Sequence, residues 1–463
     1  MPGESRASAP KGFGAAVGPD PARVPVLAPV AGTGRARVGV AIDIGTTSLA
    51  AALVDLASGA ELAAASLPNP QAAFGADVMS RIHAGGGDEA RRRPVVAAVR
   101  LGLATLTGRL IRDAGLSDQD VVAAAVVGNP AMLHFWYGED PWSLGVAPYE
   151  GRWTAAVHTQ ARVVELPIDP AAPVYILPCV RSHVGADAVG AAVAVGLDVI
   201  GSPALLIDLG TNSEIVLAAG DRIFAASTAA GPAFECGGIS CGMRAAEGAI
   251  DALRLEPDGR WSVHVIGNVP PRGMCGSGLL DAVAELLRAG AIEPSGRMRG
   301  ADEVTGIVPD GLADRLSPAG ERRRTAIVDA TGASPGVSLE AADVRQLQLA
   351  IGAVRAGIEV LCAAAGITAA GLQAIFVAGT FGQYVRKASL LRLGLLPPVA
   401  PERVRTVGNA AGGGAVLALL DQRFRDRAEQ LAARATYVEL AGRADYQEAL
   451  TRSLHFPAPQ EDP

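Results

Sequence analysis

The chain has 463 residues, of which 49% are hydrophobic and 19% charged. That is enough for two or three domains with substantial cores, in the balance of a globular protein. A formal net charge of −7 disfavours nucleic acid and anionic membranes as partners, and the basic triplets at 91–93 and 322–324 are too short to change this. No apolar run approaches the roughly 20 residues that span a bilayer, and the N-terminus lacks the pattern of a secretory signal, so a cytoplasmic protein with no membrane partner is expected.

Residues 1–36, rich in Gly, Pro, Ala and Arg without periodicity, read as a disordered segment. From Arg37 to Ile44 an apolar strand is predicted. SLAAALVDL (48–56) and ELAAASLPN (61–69) follow as two more, making a three-strand meander. Val95 to Ala114 is predicted as an amphipathic helix, Val121 to Val127 and Tyr175 to Leu177 as buried strands, and His183 to Val195 as a helix. At Ser202 the pattern restarts: PALLIDLGTNSEIVLAAGDRIFAAST again gives three strands with two turns. DLGTN (208–212) echoes DIGTT (43–47) at a spacing of 165 residues (208 − 43), too long a period for a solenoid. Helices are predicted over Leu279 to Leu287 and Ala341 to Ala365, a buried strand over Ala374 to Ala378, and a helix over Gly413 to Leu420. The expected organisation is α/β, with one domain at 37–200, a second at 201–425, a cleft separating them and a tail at 426–463.

Three short motifs carry the chemistry. In Asp43-Ile44-Gly45-Thr46-Thr47 the glycine lets the backbone approach a ligand, amides and threonine hydroxyls can donate to phosphate oxygens, and Asp43 can hold a hydrated Mg2+. Asp208-Leu209-Gly210-Thr211-Asn212 repeats that design. Two such turns, each opening a three-strand unit, are far more specific than one. The third is Gly379-Thr380-Phe381-Gly382, where a buried strand ends in small residues against which a base and ribose can lie. The two lysines, Lys11 and Lys387, lie in no G-x-x-x-x-G-K-[ST] context, so a P-loop is excluded. The five cysteines (Cys179, Cys236, Cys241, Cys275 and Cys362) form no disulfide framework. Cys236 and Cys241 have C-x4-C spacing, but the third position of a ferredoxin pattern is Arg244, so no self-contained iron–sulfur motif is read in the chain.

In this order the three motifs resemble the two phosphate motifs and the adenosine motif of the sugar kinase, heat-shock chaperone and actin superfamily. That implies two actin-like (ribonuclease H-like) domains with a nucleotide cleft. Longer stretches narrow the resemblance: VVGNPAMLHFWYG (126–138), SLGVAPY (143–149), STAAGPAFECGGISCGMRAAEGAI (227–250), GMCGSGLLDAVAELL (273–287) and AGTFGQYVRKASLLRLGLLP (378–397) are similar to the ATPase region of the reductive activators of corrinoid proteins. The resemblance implies an ATP- and Mg2+-using enzyme that binds a corrinoid protein and returns its cobalt from Co(II) to Co(I). Family members usually carry an N-terminal ferredoxin-like domain. Here about 36 residues precede the ATPase region, so either a separate ferredoxin-like protein supplies electrons, the favoured alternative, or this chain has lost the redox role; a homodimer is among the oligomeric states left open.

Asp43 and Asp208 are the candidate Mg2+ anchors, and Asp208 also the group that orients an attacking water. Glu214, on the face that period-two alternation shares with Asp208 and Asn212, is a second candidate base. Gly45, Thr46, Thr47, Gly210, Thr211 and Asn212 are the candidate phosphate contacts, and Gly379, Thr380, Phe381 and Gly382 the candidate adenosine contacts. Two rival readings share these motifs: a small-molecule kinase, for which Asp77 is the one candidate base, and a docking protein that binds ATP without redox chemistry.

Overall fold

A computed structural model describes residues 37–318, 322–330, 335–379 and 385–458. They fall into two compact units. The described residues of the first come from 37–202, 218–226 and 409–438; those of the second come from 203–217, 227–408 and 439–458.

The first sheet is built from β1 (Val38–Ile44), β2 (Ser48–Asp55), β3 (Glu61–Pro68), β4 (Val121–Gly128), β5 (Val157–Gln160) and β6 (Pro173–Ile176). Its order is β3-β2-β1-β4-β6-β5, with β1, β2 and β3 antiparallel and β4 and β6 parallel to β1. Six of the seven β1 residues are buried. A strand covered on both faces reads as a continuous apolar run rather than an alternating one. The chain then repeats itself in β7 (Ala204–Asp208), β8 (Ser213–Ala219) and β9 (Arg222–Thr228). A short sheet follows from β10 (Ala249–Leu255), β11 (Trp261–Val265) and β12 (Gly273–Met274), then a hairpin of β13 (Arg324–Val328) and β14 (Val337–Glu340). β15 (Ala374–Ala378), β16 (Val404–Gly408) and β17 (Ala435–Tyr437) complete a second six-stranded sheet of order β16-β15-β7-β8-β9-β17. Its run β9-β8-β7-β15-β16 retraces β3-β2-β1-β4-β6, including the parallel pairing of the fourth and fifth members (β15 and β16 here). The two three-strand repeats thus occupy equivalent places in two sheets.

Helix positions follow the sequence prediction, with earlier or later starts where a cap sets them. The helix Glu89–Asp113 begins six residues ahead of the predicted Val95. Asp88 caps it by accepting from the Arg91 amide at 2.9 Å, and the helix runs on through Pro94. Ala410–Leu420 begins three residues ahead of Gly413 because Asn409 caps it, accepting from the Gly412 amide at 2.8 Å. Ala186–Ala194 begins three residues after His183, since Val180 and Arg181 both donate to the Val184 carbonyl and hold a turn there. Ala341–Ala365 forms over the predicted bounds, ended by Gly366 in the left-handed region. Within the C-terminal segment, residues 422–458 form the helices Gln422–Arg434 and Ala444–Ser453, with β17 paired to β9.

One expectation is corrected. Two described helices, Glu89–Asp113 and Ala341–Ala365, are long and apolar enough by length and composition to cross a membrane. Arg100 and Arg109 interrupt the apolar part of the first, and Arg355 and Glu359 that of the second, which hides the run from a search for charge-free stretches. One face of each packs on protein: Val95, Val99, Leu103, Leu106 and Leu110 are buried in the first, and Leu347, Ile351, Val354, Ile358 and Leu361 in the second, while Leu101 and Leu349 are exposed.

Candidate functional site

In the first unit the DIGTT turn joins β1 to β2, and three asparagines hold it. Asn69 Nδ2 donates to the Gly45 carbonyl at 2.9 Å, and the Asn69 amide donates to the Thr47 carbonyl at 3.0 Å. Asn129 Nδ2 donates to Thr46 Oγ1 at 2.9 Å, which leaves the hydroxyl hydrogen of Thr46 available to an anion. Asn409 Nδ2 donates to Asp43 Oδ2 at 3.0 Å. Asn129 and Asn409 also cap helices that start at the ends of strands. The turn is therefore fixed by groups that are themselves fixed.

Asp43 does not stand alone. Burial first, and the carboxylate of Asp187 second, push its pKa up to about 7, while the Asn409 amide opposes the rise. Asp187 lies in the first turn of the helix Ala186–Ala194, where its Oδ1 accepts from the Ala188 amide at 2.8 Å. Burial holds its pKa up at about 6. Two neighbouring carboxyls that are costly to ionise together make a place where a cation is favourable. Neither Asp187 nor the three asparagines was singled out from the sequence. One signal was present: Val127-Gly128-Asn129-Pro130-Ala131 and Val407-Gly408-Asn409-Ala410-Ala411 share a V-G-N-x-A pattern, each a strand end followed by a helix cap.

In the second unit the DLGTN turn joins β7 to β8. β15 lies parallel to β7 with Ala378 opposite Asp208, and the Leu209 amide donates to the Ala378 carbonyl at 3.2 Å. Gly379 follows at φ +113°. A Cβ there would sit 2.6 Å from the Leu209 carbonyl oxygen and 3.3 Å from Asp208 Oδ1. The third motif thus meets the second through a residue that must be glycine. Thr380, Phe381 and Gly382 lie outside the described residues.

The second turn differs from the first in one respect. Thr211 Oγ1 donates to Glu235 Oε2 at 2.7 Å, so its hydroxyl hydrogen is already engaged, and the Thr211 carbonyl accepts from the Gly231 amide at 2.9 Å. Glu235, in a short 3-10 turn after β9, is a carboxylate at this turn that sequence reasoning missed. The Gly210 carbonyl accepts from Ser213 Oγ at 3.4 Å, and Asn212 is half-buried where β8 begins. Glu214, on β8, accepts from Ser227 Oγ on β9 at 3.2 Å.

Asp77, the candidate base of the kinase reading, is a helix cap. It accepts from the Ser80 amide at 2.8 Å, and its own amide donates to Ser80 Oγ at 3.1 Å. The five cysteines are free thiols. Burial raises all of them, Cys179 and Cys241 to about 12 and Cys362 to about 11, so they stay protonated at neutral pH. Among the described residues no group of three or more His, Cys, Asp or Glu is arranged to hold a metal ion.

Comparison with known proteins finds relatives over nearly all of the described chain. The pattern of the RACo middle region matches residues 38–199, and that of the C-terminal domain of RACo, the ASKHA domain, matches residues 202–463. The corrinoid activation enzyme RamQ of Eubacterium limosum is 35% identical over 407 residues, covering 87% of this chain and 68% of that protein. A [Co(II) methylated amine-specific corrinoid protein] reductase of Methanosarcina barkeri is 25% identical over 404 residues, covering 79% of this chain and 67% of that protein. Among solved structures, a reductive activator for corrinoid, iron–sulfur protein superposes with a TM-score of 0.83 at 30% identity, over 93% of this chain and 67% of that one.

Proposed function

The chain belongs to the RACo family, and from that premise we propose that it is an ATP-dependent activator of a corrinoid protein, returning cobalt from Co(II) to Co(I) with one electron from a separate iron–sulfur protein. The observation that carries the reading is the match to RACo over both of its regions, 38–199 and 202–463, together with relatives named for corrinoid activation. The two repeated turns support the ATP requirement. The C-x4-C pair Cys236 and Cys241 is followed by Arg244 where a ferredoxin pattern needs a third cysteine, which supports an electron source outside the residues described above. The enzyme is proposed to work in the cytoplasm.

Asp43 and Asp208 would hold Mg2+ through water. Bound there with ATP, the ion would neutralise charge on the phosphate oxygens. The turn amides and the Thr46 hydroxyl hydrogen donate to phosphate. Thr47, Gly210, Thr211 and Asn212 contribute backbone or side-chain donors, and Gly379 with Thr380, Phe381 and Gly382 takes the adenosine. Asp208 orients the attacking water, with Glu214 as the second candidate. Glu235 keeps Thr211 in place by accepting its hydroxyl hydrogen. The free energy of ATP can reach the cobalt only through different affinities for two conformations of this protein with its partner.

The test is Asp208→Ala. The variant should stay folded and lose phosphate release and ATP-dependent cobalt reduction together. Wild-type reduction should need an added iron–sulfur donor. Full ATP-dependent reduction by the variant would overturn the assignment of Asp208.

A further inference from the structure

The second unit contains a pocket of about 980 Å³ that none of the nucleotide motifs lines. It is formed by the C-terminal half of the helix Ala341–Ala365, the helix Lys387–Arg392 with the turn after it, and the segment around Pro457. Ligand pockets typically run about 300–1,000 Å³, so this one can enclose a small molecule. Its walls are aliphatic: Ile358, Ile367, Leu391, Leu395 and Leu396 face it, with Pro397 and Pro398.

Its charges are one-sided. Arg288, Arg355 and Arg392 line it, against the single carboxylate of Glu359. Arg288 is neutralised from behind, with Nε and Nη2 donating to Glu285 Oε2 at 2.9 and 2.7 Å. Arg392 approaches the same carboxylate at 3.8 Å. Arg355 is different. Its Nη1 donates to the carbonyls of Ser453 at 3.2 Å and His455 at 2.7 Å, and among the described residues no carboxylate forms an ion pair with it. Glu359 acts on it only through space and is itself paired with Arg452. Burial lowers the pKa of Arg355, with the charge of Glu359 opposing the fall. A planar guanidinium with donors to spare is suited to a carboxylate.

We propose that this pocket binds an aliphatic carboxylate, with the chain against Ile358, Ile367 and Leu395 and the head group on Arg355. The binding concerns the second unit alone and does not rest on the nucleotide reading. The acid acts as a ligand, and no bond is made or broken.

The test is calorimetric titration of the full chain with octanoate, decanoate and dodecanoate, and with dodecanol as the uncharged control. Saturable binding at one site per chain is expected. Affinity should rise by up to about fourfold per added methylene, the limit for full burial of each group. Dodecanoate should bind at least tenfold more tightly than dodecanol. Arg355→Met should erase that difference while ATP hydrolysis continues, which also shows that the variant is folded. Ala363→Trp, which puts an indole into the apolar part of the pocket, should weaken binding of both compounds. No saturable binding, equal affinity for acid and alcohol, or an unchanged dodecanoate titration in both variants would overturn the proposal.

Discussion

His134 shows how one buried side chain sets a pH limit. Its Nδ1 lies 2.6 Å from the Pro130 carbonyl, which fixes the hydrogen there, and its Nε2 accepts from the Arg152 amide at 3.1 Å. The ring stacks on Trp153 at 4.1 Å. Protonating Nε2 would set an N–H against an N–H, and burial, the larger cause, already lowers the pKa from 6.5 to about 4. Between those values the unfolded chain binds a proton that the folded chain refuses, so stability falls as pH drops through the window. The loss is on the order of 3 kcal/mol when complete. Asp43 and Asp187, whose raised pKa values favour the folded chain as pH drops, act in the opposite sense. The His134 contribution is therefore read as a difference: from pH 7 to pH 4 the urea midpoint of His134→Gln should gain on that of the wild type, and a constant difference would contradict it. Gly379 makes a second residue-scale prediction. Gly379→Val would drive a branched side chain into the Leu209 carbonyl and Asp208 at a φ that L-residues rarely adopt, at a cost of about 1–3 kcal/mol in backbone strain alone. Nucleotide affinity should fall at least tenfold in equilibrium titration, and wild-type affinity would count against the placement of the third motif.

At the scale of elements, two helices of small residues meet in the first unit. Ala186–Ala194 packs on Ala410–Leu420, and a Cβ on Gly414 would lie 2.6 Å from the Gly190 carbonyl carbon and oxygen. Backbones this close leave no space for a side chain. Gly414→Leu must therefore part the helices that carry Asp187 and the Asn409 cap. A loss of about 1–3 kcal/mol is expected, read as a lower urea midpoint, and Gly414→Ala should lose less. Equal stability of both variants and wild type would mean the contact is not tight.

This is also the scale at which the sequence was most and least legible. The strand triplets stood out because tight turns and apolar runs are local signals. Ala341–Ala365 stood out because 25 residues of helical pattern end at a glycine. The small sheet β11-β10-β12 did not: β11 is mostly exposed and β12 has two residues, so neither leaves a hydrophobic run. The candidate site divides in the same way. Asp43, Asp208 and Gly379 sit in repeated or glycine-marked turns and can be read directly. Asn409 reaches Asp43 across 366 residues, and Asp187 matters through its neighbour, so only folding brings out their roles. Glu235 lies in a segment with no periodicity, and nothing local marks it.

For the whole molecule, the duplicated sheet order supplies two equivalent turns, proposed to hold phosphate, and family membership supplies the partner chemistry to which they are proposed to be coupled. The most direct measurement follows the cobalt. A cognate corrinoid protein held as Co(II) is mixed anaerobically with this protein and a low-potential iron–sulfur donor, and the visible spectrum is recorded with and without Mg-ATP. The account predicts a Co(I) band that grows only with Mg-ATP and is absent with Asp208→Ala. An unchanged Co(II) spectrum in the presence of Mg-ATP, with nucleotide binding confirmed in the same sample, would contradict it.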